Sequence, residues 1–362
     1  MRDLIRRGLA VGIAAGAWLA LAGIAQAKVI HVHPGQSIQA AVNAANPGDT
    51  IKVAAGVYHD NVTITDSHIT LVGAGSGRHG TILRPRVHPR QSPCNDTGSG
   101  GQIVSVNGIC AVGSFDQTGA PAAPIVGTRI SGLRVVGFSS TGIILFNAEH
   151  STIAGNSAIG NTEYGMAGFL QHGIVFRGNH AAGGDEAGFY VGDSPDARAV
   201  MTRNTAVGAE FGFFFRDSEH GSITKNRSHG NCVGVMALDT GEPGADGFVR
   251  IAHNRVFHNR KACPAAEGPP LSGVGILLLG TTHGHVSGNR VTRNRPSGPT
   301  FTSGGIVLLS ASAVGGAAPT NDVITGNFIH RNRTKDLRYD GSGSGNVLTG
   351  NDCGTSSPAG LC

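Results

Sequence analysis

The sequence is poor in charged and aromatic residues. Charged side chains make up 14% of the 362 residues and aromatic side chains 5%, and the formal net charge at pH 7 is +5. This weak positive charge does not predict nucleic-acid binding, although it is compatible with an acidic polysaccharide as partner. After the first residues no apolar run is long enough to cross a bilayer, so we expect no membrane contact of the mature chain.

The start of the chain has the pattern of a removable export signal. A basic beginning precedes an apolar run from Gly8 to Ile24, which leads into the small-residue site Ala25-Gln26-Ala27. An anchoring transmembrane helix is the alternative, and it is less favoured because the run is short and rich in Gly and Ala. We therefore predict a signal peptide at residues 1–27 and a secreted, extracellular chain at residues 28–362.

The six cysteines lack the spacing of a metal site, because no two of them lie two to four residues apart. In an exported chain they predict three disulfides, for which about fifteen pairings are open. Proximity along the sequence favours neighbours. The predicted pairs are Cys94 with Cys110, Cys232 with Cys263, and Cys353 with Cys362.

A short phrase that ends in asparagine recurs along the chain at spacings between 22 and 38 residues. A period in the low twenties with insertions is typical of one coil of a parallel β-helix or of a leucine-rich repeat. The leucine spacing of the latter is absent. The repeated residues are Asn156, Asn179, Asn204, Asn226, Asn254, Asn289, Asn327 and Asn351.

The segments between these asparagines favour an all-β solenoid. In most coils a glycine opens a short apolar run, such as Gly212-Phe-Phe-Phe215 or Gly275-Ile-Leu-Leu-Leu279, and no helical pattern intervenes. Such strands stack coil on coil at about 4.8 Å. We expect the asparagines to be structural, because they tolerate left-handed backbone and can bond to their copy in the next coil.

Both ends of such a solenoid need covers. Residues 28–64 predict an N-terminal cap, in which Ser37 caps a short amphipathic helix. Residues 353–362 predict a disulfide-closed C-terminal end of the single domain. The cap and the Gly-Asn coils resemble those of bacterial right-handed parallel β-helix proteins of the pectin-lyase-like superfamily, over nearly all of Lys28 to Cys353. The resemblance implies the fold and leaves the activity open, because that superfamily includes lyases, hydrolases, epimerases and non-enzymatic surface proteins.

Three aspartates occupy one position of successive coils. Asp193, Asp217 and Asp239 each lie five residues after the glycine that opens a strand. In register, their carboxylates would stack about 4.8 Å apart and repel one another. A bridging Ca²⁺ would relieve the repulsion, or one carboxyl could stay protonated as a general acid. We therefore predict a catalytic or calcium-binding ladder, with turn-capping aspartates as the alternative.

Other polar side chains follow the same strands. Arg216 and His220 are candidates for the base that removes the α-proton of a uronate in β-elimination, and Glu219 and Glu242 are candidate substrate contacts. The pectate-lyase-like enzymes also combine an aspartate cluster with an arginine, so this chain resembles them in the types of residue that are present. The motifs of polygalacturonase-like hydrolases and of alginate-epimerase-like proteins are absent.

Two aromatic residues are expected to face outward from the strands. Tyr190 and Phe214 could form a platform on which sugar rings stack. The alternatives for this apolar exterior are a covering loop, such as the one from Arg84 to Pro124, or a contact between subunits. The sequence leaves the oligomeric state open.

Together these patterns predict a secreted β-helix protein that binds or processes polysaccharide, as a lyase or hydrolase, with uronic-acid polymers as candidate substrates. Two other functions are open. One is a non-catalytic cell-surface binding protein, and the other is a periplasmic accessory protein of the copper-enzyme maturation type, which the 16 histidines motivate.

Overall fold

The computed structural model describes residues 26–242, 247–265 and 268–362. Nearly all of the predicted signal peptide lies outside the described residues. Three long parallel β-sheets wind around one apolar core, and each coil contributes a strand to sheet 1, then to sheet 2, then to sheet 3. No helix in these ranges is long and apolar enough to cross a membrane.

The strands of sheet 1 are, in order across it, Val29–Val32, Thr50–Val53, Thr70–Gly73, Arg129–Ser131, Thr152–Ala154, Val175–Arg177, Val200–Thr202, Ser222–Thr224, Arg250–Ala252, His285–Ser287, Val323–Thr325 and Val347–Thr349. Those of sheet 2 are Gly56–His59, Thr81–Arg84, Leu133–Val136, Ser157–Ile159, His180–Ala182, Thr205–Val207, Arg227–His229, Arg255–Phe257, Arg290–Thr292, Phe328–His330 and Asp352–Cys353.

Sheet 3 has the longest strands. They are Val62–Ile64, Ile109–Val112, Ile143–Glu149, Met166–His172, Ala187–Ser194, Phe211–Ser218, Val233–Leu238, Val274–Leu279, Gly304–Leu309, Leu337–Tyr339 and Ser356–Ser357, and Ile125–Val126 pairs with the third of them. Two antiparallel pairs lie in loops: Asp96–Thr97 with Ile103–Ser105, and Ala262–Cys263 with Leu271–Ser272. The helices are an α-helix at Ile38–Asn43 and a 3-10 turn at Ser312–Val314.

The core consists of columns of equivalent residues. In the three-residue strands of sheet 1 the middle residue points inward and pairs with its copy on the next coil. The exposed fraction of these side chains does not exceed 1%, except for Leu348 on the last strand, at 6%. Burial of such columns is the main stabilising term of the fold. The sheet 1 column from the fourth strand on is Ile130, Ile153, Phe176, Met201, Ile223, Ile251, Val286 and Ile324.

The repeated asparagines form the predicted ladder between sheets 1 and 2. Asn254 accepts hydrogen bonds at Oδ1 from the backbone N–H and the side-chain Nδ2 of Asn226, at 2.8 and 3.2 Å. Its own Nδ2 donates to the Ile223 carbonyl and to Asn289 Oδ1. The expectation of left-handed asparagines was wrong, because the residue before each asparagine takes that conformation, as His253 does with φ 57°.

The N-terminal cap contains the predicted helix. Ser37 Oγ accepts a hydrogen bond from the Ala40 N–H at 3.1 Å, and Ile38, Ala41 and Val42 are buried. The side-chain oxygen satisfies an N–H that has no partner inside the helix, which is the usual role of an N-cap serine. The helix contacts the first strands of sheets 1 and 3, so it covers the open end of the core.

All three predicted disulfides are confirmed: Cys94–Cys110, Cys232–Cys263 and Cys353–Cys362. Cys110 lies in a strand of sheet 3 and Cys232 directly precedes one, whereas Cys94 and Cys263 lie in long loops. The first two bonds therefore tie two loops to the outer face of sheet 3. The third closes the C-terminal end.

The buried carboxyl group of Asp322 should make the free energy of unfolding depend on pH. Asp322 is fully buried, and its carboxylate accepts hydrogen bonds from Thr281 Oγ1 at 2.8 Å and the Gly284 N–H at 2.6 Å. Burial raises the pKa of Asp322 from 3.8 to about 6, although both hydrogen bonds lower it. The native state thus binds the proton more tightly than the unfolded state. Below about pH 4 this difference contributes about 3 kcal/mol to the free energy of unfolding. The contribution is lost as the pH rises through about 6.

Asp322→Asn should abolish the fall in the free energy of unfolding with rising pH, because the amide keeps the shape of the side chain and carries no charge. Urea unfolding of both proteins between about pH 4 and pH 8 measures it. Asp66→Asn, which changes an exposed carboxylate, is the control and should follow the wild type. An Asp322→Asn curve parallel to the wild type would contradict the assignment.

Candidate functional site

The three aspartates of the predicted ladder do stack in register. Gly192 pairs with Arg216 and Ser194 with Ser218, so Asp193 lies opposite Asp217. Arg216 also pairs with Leu238, which places Asp239 on the following coil. Asp193 and Asp217 have left-handed backbone, with φ of 52° and 45°, which aspartate tolerates better than most residues. Register was thus predictable, but the three carboxyl groups have different surroundings.

Asp217 is fully buried and has several hydrogen-bond partners. Its Oδ2 accepts from Arg216 Nε at 2.9 Å and from Thr240 Oγ1 at 2.8 Å, and its Oδ1 accepts from the Thr240 N–H at 2.7 Å. A carboxylate in this position cannot contact a substrate. The expected catalytic role of Asp217 is corrected to a positioning role, in which it holds Arg216 and the start of the next loop.

Asp239 is also buried, and it accepts a hydrogen bond at Oδ1 from the Gly241 N–H at 2.7 Å. This is the turn-capping geometry that was the alternative for these aspartates. Within the described ranges, no group of three or more His, Cys, Asp or Glu residues is arranged to hold a metal ion. The aspartate ladder therefore does not form the expected calcium site.

Asp193 is the exposed member of the ladder, and it lines a groove of about 610 Å³ on the outer side of sheet 3. The groove walls keep water from its carboxyl group and raise its pKa, and Asp217 and Glu242 also raise it against the lowering effect of Arg216. The other lining residues are Pro93, Val112, Gly113, Ser114, Phe115, Phe146, Phe169 and Leu170. An apolar groove with one carboxyl is suited to acid–base chemistry.

Arg216 lies beside this carboxyl group and stays protonated. Burial lowers its pKa, but Tyr190, Asp217 and Asp193 outweigh burial, so that the pKa is raised. A charged guanidinium is a poor proton acceptor at neutral pH. Arg216 is therefore better suited to pair with an anionic substrate group than to act as the predicted base.

Tyr190 and Phe214 are buried, with exposed fractions of 1% and 4%. The Tyr190 ring packs 4.8 Å from Tyr164 and 5.3 Å from Phe214, in a second apolar cluster that includes residues of both stapled loops. Burial raises the pKa of Tyr190. Because both rings are buried, neither forms the expected sugar platform, and the covering-loop alternative stays a prediction.

The aromatic surface of the groove comes from residues that the sequence reasoning missed. Phe146 and Phe169 pair in register on adjacent coils, and their rings stack with centroids 5.1 Å apart and planes at 21°. Phe115, in the loop after the strand Ile109–Val112, is 38% exposed. The available signal was the alternation along sheet 3, because Phe146 lies two residues after Ile144, which shares the strand position of Tyr190.

His220 and Glu219 belong to a separate cluster at the turn into sheet 1. His220 Nδ1 lies 3.2 Å from Asp196 Oδ1 and 3.9 Å from Glu219 Oε2, and the ring stacks on Phe248 at 5.2 Å. These contacts do not include Asp193, so the structure does not bring His220 to the groove as a base. Glu242 is exposed, and its charge acts on Asp193, so it lies near the groove.

Comparison with protein families finds one match. Residues 99–269, a little under half of the chain, match the family described as Periplasmic copper-binding protein (NosD). No curated protein sequence matches the chain. The matched region includes the Asp193 groove and the His220 cluster.

Solved structures share the fold at low sequence identity. The A-module of the mannuronan C-5 epimerase AlgE4 from Azotobacter vinelandii is 18% identical, with a TM-score of 0.58, covering 88% of this chain and 91% of that one. The DFA-IIIase from Arthrobacter chlorophenolicus A6 without its lid is 14% identical, with a TM-score of 0.59 and coverage of 90% and 94%. The Dettilon tailspike protein is 15% identical, with a TM-score of 0.56 and coverage of 91% and 68%. The chain has the right-handed parallel β-helix fold of pectin-lyase-like proteins.

Proposed function

We propose that this chain is an exported protein that binds a polysaccharide in the Asp193 groove and cleaves it by acid–base chemistry. The observation that carries the proposal is an exposed carboxyl with a raised pKa in a groove that two stacked phenylalanines also line, with a charged arginine acting on that carboxyl. Export is supported by the signal-like start and by three disulfides, which persist in oxidising compartments.

The groove has the parts that a sugar chain needs. Phe146 and Phe169 offer an apolar surface to the C–H face of a sugar ring. Arg216 does not line the groove, but its charge acts on Asp193, and it could give a charge-assisted hydrogen bond to a carboxylate at that end. A similar fold occurs in a mannuronan C-5 epimerase, which is consistent with a uronate polymer as ligand.

Two reactions fit these groups. In β-elimination, Arg216 would neutralise the uronate carboxylate and Asp193 would accept the α-proton. The glycosidic C–O bond then breaks, a C=C bond forms, and the leaving oxygen takes a proton from water. In hydrolysis, protonated Asp193 would donate to the leaving oxygen, and Glu242 would act as the second carboxylate. Because its pKa is raised, Asp193 keeps its proton to a higher pH than an ordinary aspartate, which suits it to donate that proton.

The test uses the purified mature protein on polygalacturonate, alginate and neutral polysaccharides. Ultraviolet absorbance of an unsaturated product reports elimination, and reducing ends without that absorbance report hydrolysis. We expect turnover on at least one acidic polymer, and assays with and without a chelator show whether that turnover needs a metal ion. Absence of both products on every polymer would refute the proposal and favour a non-catalytic binding protein.

A second candidate function is that of an accessory protein for a periplasmic copper enzyme, which the NosD match favours. His172 and His220 both face Asp196, with Nδ1 atoms 3.5 and 3.2 Å from its carboxylate oxygens. The three residues are not arranged as a metal site, so the support from this cluster is only that imidazole is a good ligand for Cu(II). Stoichiometric Cu(II) binding that is lost in His172→Ala/His220→Ala, together with no turnover on any polymer, would favour this function.

A further inference from the structure

The outer face of sheet 2 carries a ladder of three arginines. Arg227, Arg255 and Arg290 pair in register on three successive coils, and all three are exposed. Strands in such a sheet lie about 4.8 Å apart. The three guanidinium groups therefore form a file of positive charge parallel to the solenoid axis. We call Arg227, Arg255 and Arg290 the arginine ladder.

The ladder is confined to the C-terminal half of the solenoid. On the preceding coils the same position holds Ser157, His180 and Thr205, and on the following coil it holds Phe328. The three arginines are thus a local feature of these coils. They are not a consequence of the repeat, which accepts a small polar residue at this position equally well.

Aromatic rings hold the guanidinium groups in place. The Arg227 guanidinium carbon lies 4.5 Å from the centre of the Phe257 ring, and that of Arg290 lies 4.2 Å from the centre of the Phe328 ring. Arg255 lies 5.7 Å from the centre of the Phe257 ring. Cation–π contacts of this kind limit the motion of long side chains while their N–H groups stay available.

A groove of about 550 Å³ lies beside the ladder. Burial lowers the pKa of His258, and the charges of Arg260, Arg293 and Arg295 lower it further, as expected for a surface of concentrated positive charge. The described residues that line the groove include no aspartate or glutamate. They are Arg255, Phe257, His258, Arg290, Thr292, Arg293, Phe328, His330 and Arg331.

Stability does not explain this arrangement. Like charges directly opposite each other on neighbouring strands destabilise a sheet. Anionic groups spaced along the solenoid axis would remove that repulsion and would accept charge-assisted hydrogen bonds from the guanidinium forks. The ligand that this surface fits is therefore extended, linear and regularly charged.

We propose that the arginine ladder and its groove bind a linear acidic polysaccharide that lies along the solenoid axis. A polyuronate carries one carboxylate on every sugar, and in an extended chain one sugar is about as long as one coil is high. The surface offers a single file of charges, and guanidinium groups already cover its aromatic rings, so it lacks the open stacking platform that single-stranded nucleic acids use. The inference deepens the proposed function, on which it rests for the class of ligand, and it uses none of the residues of the Asp193 groove.

Binding of the mature protein to polygalacturonate, alginate, neutral dextran and duplex DNA tests this proposal. Arg255→Gln/Arg290→Gln is expected to weaken binding to an acidic polysaccharide by at least about tenfold and to reduce its dependence on salt. Arg177→Gln/Arg250→Gln is the matched control, because it removes two exposed arginines from strands of sheet 1. The control should bind like the wild type, and dextran should not bind.

Three results would overturn the proposal: wild-type affinity in Arg255→Gln/Arg290→Gln, equal losses in both double variants, or tighter binding of duplex DNA than of either polyuronate. Circular dichroism and the midpoint of urea unfolding establish that both variants fold. A failure here is distinguishable from a failure of the proposed function, because Asp193→Asn leaves the ladder intact. Binding without turnover would contradict the proposed chemistry at Asp193. Turnover with binding that does not depend on the arginine ladder would contradict the proposed role of the ladder.

Discussion

Asp193→Asn is expected to reduce kcat on the polysaccharide that the wild-type protein cleaves by about 10²- to 10⁴-fold, the usual contribution of a general acid or base. The amide keeps the size of the side chain and cannot exchange a proton at neutral pH. Because the groove aromatics and Arg216 are unchanged, KM should change little. Steady-state kinetics with the substrate found in the polysaccharide panel measures both parameters.

The pH dependence of this reaction gives a second readout for the same residue. The groove walls raise the pKa of Asp193, so the limb of the wild-type profile that reports this group should lie above the ordinary range of an aspartate. That limb should be missing from the residual activity of Asp193→Asn. Asp66→Asn, which changes an exposed carboxylate just after the N-terminal cap, is the control. Full activity of Asp193→Asn would remove Asp193 from the chemistry.

Asn254→Ala is expected to lower the free energy of unfolding by about 3 to 5 kcal/mol. The substitution leaves the Asn226 N–H, the Ile223 carbonyl and Asn289 Oδ1 each short of a buried partner, at about 1–3 kcal/mol for each group. In a solenoid each coil is stabilised by its neighbours, so the loss should spread to the adjacent coils.

Urea unfolding and hydrogen exchange of the amides around Asn226 and Asn289 measure this effect. Asn43→Ala is the matched control, because Asn43 is exposed at the end of the cap helix, and it should change the free energy of unfolding by less than about 0.5 kcal/mol. Equal effects of Asn254→Ala and Asn43→Ala would mean that the ladder hydrogen bonds contribute little to stability.

Much of the fold could be predicted because a solenoid repeats the same local sequence pattern in each coil. The spacing of the asparagines indicated the coil, the glycine that opens each strand indicated the register, and Ser37 indicated the cap helix. The disulfides followed from proximity, since Cys94 and Cys110 lie on one loop and the strand beside it. Even the stacking of Asp193 on Asp217 could be predicted from a constant count of residues.

Part of the candidate site could also be predicted, namely the position of Asp193 and Arg216 at the end of their strands. The sequence could not indicate which equivalent residues are exposed. Asp217 and Asp239 share the position of Asp193, yet Thr240 and Gly241 donate hydrogen bonds to them and they are buried. Thr240 and Gly241 begin a loop of variable length, which does not follow the repeat.

By itself, the sequence determined the coil, its register, the caps and the disulfides, because each depends on residues that are near in sequence or recur at a regular spacing. Only the tertiary structure decided that Tyr190 and Phe214 are buried, that Phe146 and Phe169 face a groove, and that guanidinium groups of one coil lie over the rings of the next. The physical reason is that exposure depends on how irregular, distant segments pack over the regular coils. A repeat pattern contains no information about that packing.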